Sequence, residues 1–64
     1  MTQKELAYIE DAISHEQIII SILEDMQNNL KDDNLISFIS DELDNHNDIK
    51  EDLIELLKEK QNGW

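Results

Sequence analysis

The sequence contains no cysteine, no proline, no arginine and a single glycine, Gly63. Lack of cysteine excludes disulfides and thiolate-bound zinc or iron–sulfur centres, so the chain fits a reducing compartment without requiring one. Lack of proline and internal glycine leaves nothing to interrupt a helix between Thr2 and Asn62. A strand-rich domain of this length would need several turns built on those two residues. Aromatic residues are reduced to Tyr8, Phe38 and Trp64, too scattered for a binding platform and assigned to ordinary packing and the tail.

Long hydrophobic runs are missing as well. The longest, Ile18-Ile19-Ile20, is far short of a membrane span, and Met1 leads into a polar segment with no signal-peptide core, so a cytoplasmic location is expected. Positive charge is scarce: five lysines stand against sixteen carboxylates, for a net charge of −11. Such a surface repels phosphate backbones and anionic lipid, which argues against nucleic acid and membrane as partners. Most of these charges are expected to solvate the outer faces of helices. The acidic segment Asp41 to Asp52 lacks the loop glycine and alternating oxygens of an EF-hand.

What is present reads as two amphipathic helices. Thr2-Gln3-Lys4-Glu5 has the pattern of a capping box. From Leu6 the apolar residues Ile9, Ile13, Ile20, Leu23 and Leu30 recur at helical spacing, widened by Ala12, Ile19 and Met26. The cluster Asn28-Asn29-Leu30-Lys31-Asp32-Asp33-Asn34 is the one turn-like segment, with Asp32 or Asp33 suited to cap the next helix. A second stripe follows through Ile36, Ile39, Leu43, Leu53 and Leu57, flanked by Leu35, Ile49 and Leu56, and ends near Lys58, Lys60 and Gly63. The expected fold is an all-α antiparallel hairpin forming one domain, with helices over about 3–29 and about 34–60 and a turn over about 30–33. Sixty-four residues seldom supply a self-sufficient core, and one hairpin leaves part of so wide a stripe wet. A homodimer forming a four-helix bundle is the expected remedy.

A turn near Lys31 and Asp32 makes residues that face each other across the hairpin sum to about 62 or 63. That rule pairs Ile9 with Leu53, Ile13 with Ile49 and Leu23 with Ile39, so apolar meets apolar. It also pairs Glu16 with His46, the clearest polar interruptions of their stripes. Glu42, one turn before His46, joins the same level, and His15 lies at the stripe's edge beside Glu16. A buried carboxylate needs a compensating partner. Two readings follow: a Glu16–His46 hydrogen-bonded pair that fixes register, or a metal site in which Glu16, His46 and Glu42, with His15 as a weaker candidate, hold iron, manganese or zinc. A proton-shared pair would make stability vary between about pH 5 and 8.

Ala7-Tyr8-Ile9-Glu10-Asp11-Ala12 followed by His15-Glu16, with Glu42 and His46 on a second helix, resembles half of a ferritin-like bundle. Most of the chain is similar to the short ferritin-like, spore-coat-related hairpins of sporulating bacteria. The resemblance implies a glutamate on one helix and Glu-x-x-His on the next, carried here by Glu16 and His46; Leu43 stands three before His46, and Glu42 is displaced by one. It also implies a spore-associated role. Ser40-Asp41-Glu42-Leu43-Asp44 is similar to the SQELD motif of helical-hairpin phosphatases acting on sporulation response regulators, with Asp41 in place of the glutamine. No nucleophile has an adjacent base, so hydrolase chemistry has no support. A structural or interaction protein is the expected function, with metal-binding bundle and aspartyl-phosphate phosphatase as alternatives.

Overall fold

A computed structural model describes residues 1–62 of the chain. The expected helix end at Gly63 and the tail residue Trp64 lie outside them. The described residues form two helices, α1 (Gln3–Asn29) and α2 (Asp33–Asn62), packed side by side as an antiparallel hairpin whose Cα extents are 48 × 14 × 11 Å. The fold is all-α, and neither helix is long and apolar enough to cross a membrane.

Both helix starts follow from local chemistry. At α1 the Glu5 amide donates to Thr2 Oγ1 at 3.1 Å while the Thr2 amide donates to Glu5 Oε1 at 2.8 Å, completing the capping box. At α2 Asp32 is the cap: its Oδ1 accepts from the amides of Asn34 and Leu35 at 2.9 and 3.1 Å. Between them the chain turns without glycine. Leu30 leaves α1 in an extended conformation, its amide still bonded to the Met26 carbonyl, and no described residue takes a positive φ. The turn is therefore made by extended backbone plus an aspartate cap, which the ordinary residues Leu30, Lys31 and Asp32 can supply.

Hydrogen bonds from the Thr2 amide and then the Thr2 hydroxyl hold the Glu5 carboxyl below its ordinary value of 4.5. A lowered folded-state value means stabilisation that is present above the ordinary carboxylate range and lost as pH falls through the lowered one. Glu5 should therefore titrate below a free glutamate, with helical shifts over residues 3–6 relaxing at acid pH. Carbon-detected NMR of the side-chain carboxyl checks this; a midpoint equal to that of a free glutamate would contradict the capping box.

The seam between the helices is thin. Ile20 and Ile39, at 8% and 5% exposure, are the buried side chains among the described residues, and none is fully enclosed. Around them Leu6, Ile9, Ile13, Leu23, Ile36, Leu43, Leu53 and Leu57 are half-covered. One detail departs from the counting rule: Ile49, expected opposite Ile13, is 43% exposed, while Lys50 is half-buried in its stead. A lysine tolerates that position because its methylene stem can lie along the seam while the ammonium reaches water.

Candidate functional site

The polar layer sits halfway along the hairpin. Two turns before Leu23 on α1 comes Glu16, and one turn after Leu43 on α2 comes His46; helical rotation directs both into the seam. Their side chains are 15% and 23% exposed, and His46 Nδ1 lies 2.5 Å from Glu16 Oε2. An ionised carboxylate can only accept, so a Glu16 carboxylate places the hydrogen on Nδ1 and selects that tautomer. The other ring nitrogen, Nε2, faces Glu42 Oε2 at 3.8 Å across one turn of α2. That separation is too long for a hydrogen bond and short enough for charge attraction when the ring carries a proton at Nε2. The imidazole therefore stands between two carboxylates, bonded to one and facing the other.

Chemically this is a hydrogen-bonded tie between two helices. Because Glu16 and His46 are 30 positions apart in sequence, one helix slipping past the other by a single turn would move the carboxylate about 5.4 Å from the ring. Among the described residues no buried side-chain nitrogen or oxygen lacks a partner. The layer is thus polar yet satisfied, as a partly covered hydrogen-bonded pair must be.

Glu16, His46 and Glu42 come together as expected, whereas His15 is exposed on the neighbouring face of α1. The trio does not converge on a common point. No group of three or more histidine and carboxylate side chains able to hold a metal ion occurs among the described residues. The Glu16–His46 contact is a hydrogen bond in length; two ligands with bonds of about 2.1 Å to one ion would hold their donor atoms roughly 3 Å or more apart. With Nδ1 so engaged, Nε2 and Glu42 remain as two donors where a structural zinc site uses four. These residues do not fit an iron, manganese or zinc centre within a single hairpin.

In the phosphatase-like segment Leu43 is turned into the seam, Ser40 and Glu42 are half-covered, and Asp41 and Asp44 face water. That distribution is ordinary rotation of an amphipathic helix. Asn47 donates from Nδ2 to the Leu43 carbonyl at 2.9 Å, a local bond within α2. The feature that periodicity alone did not single out is the exposed apolar set, which includes Tyr8, Ile18 and Ile22 on α1 and Phe38 on α2, each more than half exposed. Comparison with family models, curated proteins and solved structures gives no match for this chain. The resemblance to ferritin-like and spore-coat-related hairpins therefore stands on the quoted residues alone.

Proposed function

We propose that this chain is a structural or interaction protein that acts as a homodimeric four-helix bundle, with the Glu16–His46 tie setting the register of each hairpin. The observation that carries the reading is the imbalance between what one hairpin buries and what it exposes. Among the described residues two side chains fall below a tenth exposed, while nine large hydrophobic side chains remain between 37% and 60% exposed. A chain of 64 residues with so thin a seam gains too little from apolar burial to offset the ordering of two long helices. Pairing with a second copy covers the remainder and is the commonest closed solution for one polypeptide. The central tie supports the reading, because a polar pair in an otherwise apolar seam is a recognised means of fixing alignment.

Sedimentation equilibrium checks the proposal. The expected result is a species of twice the chain mass at micromolar concentrations, with a melting temperature that rises as protein concentration rises. A monomer at about 100 μM with concentration-independent unfolding would overturn it.

A further inference from the structure

Most of the exposed hydrophobic residues fall on one of the hairpin's two broad faces. Helical rotation of about 100° per residue puts Tyr8 and Met26 to one side of the row that meets α2, with the half-covered Ile19 beside them and Ile22 further round towards Ile18. The same rotation puts Leu35, Phe38, Ile49 and Leu56 to one side of the row on α2 that meets α1. Viewed from each helix's own N-terminus, both sets are displaced in the same rotational sense. Because the helices run antiparallel, displacement in the same sense brings both sets to the same side of the hairpin. The opposite side is polar: the shallow groove between the helices there is lined by Glu24, Gln27, Ser40, Asp44 and Asn47 above the edges of Ile20 and Leu43.

We infer that this apolar face is where a second copy of the chain docks, face to face, which rests on the homodimer reading above and assigns its surface. Two quantities favour a second copy over a smaller partner. The face runs the full hairpin, on the order of 700 Å² from the 48 × 14 Å Cα extents, close to the roughly 800 Å² per partner of a standard stable interface. A lone helix, roughly 10–12 Å across with its side chains, would leave part of the width uncovered. The face also matches itself in chemistry: its two apolar stretches, Met26, Leu35 and Phe38 towards the turn and Tyr8, Ile49 and Leu56 towards the open end, flank a central polar level containing His15, Glu42 and Asn45. That level lies near the midpoint of both helices, so a two-fold axis either along or across the hairpin lays polar on polar and apolar on apolar. The contact is isologous, so every residue in it counts twice. Ile18 and Ile22, 57% and 54% exposed and one turn apart, line a shallow pocket with Ser14, Gln17 and Ser21 on the side of α1 turned away from α2, and lie outside this contact or at its edge.

Phe38→Glu and Tyr8→Glu, at positions already exposed in the single hairpin, are expected to weaken dimerisation about a hundredfold in sedimentation, since each places two carboxylates in an apolar contact. Ile18→Glu is the matched control and is expected to leave the dissociation constant within about threefold. A measurement on the unaltered protein stands beside these: a paramagnetic cosolute should broaden the methyl signals of Ile18 and spare those of Leu35, Ile49 and Leu56. If the native chain is a monomer, the homodimer reading falls and this surface with it. If it is a dimer that Ile18→Glu dissociates and Phe38→Glu does not, or whose Leu35 and Ile49 methyls broaden like Ile18, the dimer stands and this face is wrong.

Discussion

Ile39→Ala is expected to unfold the chain or bring it to the edge of unfolding. Ile39 is the best-buried side chain of the described residues at 5% exposure, and with Ile20 at 8% it forms the most covered part of the seam. Truncating a buried isoleucine to alanine costs about 2–5 kcal/mol, the lost transfer energy plus the cavity. A domain of this size has about that much stability in total. The expected readout is loss of a cooperative urea transition followed by circular dichroism at 222 nm. Ile18→Ala removes the same atoms from a side chain 57% exposed and outside the proposed contact, and should change stability by less than about 0.5 kcal/mol. Equal effects at the two positions would mean that the stability of the hairpin does not reside in the seam between α1 and α2.

The hairpin itself was legible because the chain offers so few alternatives. Absence of proline and internal glycine removed every strong break, and the two apolar stripes carry the period of a helix throughout. Thr2 and Glu5 announced the start of α1 in side-chain chemistry that depends only on residues three apart. The turn was legible in place, and Asp32, one of two candidates, proved to be the cap of α2. Which side of each stripe would remain uncovered was not legible. Periodicity fixes the rotational position of Leu35, Phe38 or Ile49 on its own helix, while coverage depends on where the neighbouring helix axis runs. The exchange of Ile49 for Lys50 at the seam shows the consequence: adjacent residues differ by about 100°, and a modest rotation of α2 decides which one is covered.

The centre of the polar layer was legible by counting alone, since two rods joined at a known turn bring position 16 opposite position 46 whatever their side chains. What counting could not give was the ring's orientation. Whether His46 offers Nδ1 or Nε2 to Glu16 depends on side-chain rotamers, and so does the distance of Glu42. That choice matters, because Nδ1 bonded to Glu16 turns a set of three metal-type residues into a tie plus a flanking carboxylate. The sequence names candidate ligands by type and level; convergence on a point is a property of rotamers.

A double-mutant cycle at this tie should show strong coupling. His46→Leu leaves the Glu16 carboxylate, 15% exposed, facing an apolar neighbour with no donor, and is expected to cost about 2–4 kcal/mol. Glu16→Leu is milder, about 1 kcal/mol, because imidazole without its partner can remain neutral and Glu42 still stands near Nε2. Replacing both by leucine restores an unbroken apolar seam, so the double variant should be as stable as the native chain or more stable by about 1–4 kcal/mol. The coupling, read from urea midpoints, should exceed about 2 kcal/mol, whereas independent sites add to within about 0.5 kcal/mol. Additive losses would mean that the two side chains do not depend on each other and that the layer does not tie the helices. The same double variant separates stability from alignment. If the pair exists to hold register, a more stable all-apolar seam should nonetheless populate slipped pairings, visible as exchange broadening of methyl signals from Ile13, Ile20, Leu43 and Leu53. Sharp, single methyl signals in that variant would show that the apolar layers alone fix the alignment, leaving the Glu16–His46 pair a cost in stability without a compensating role in register.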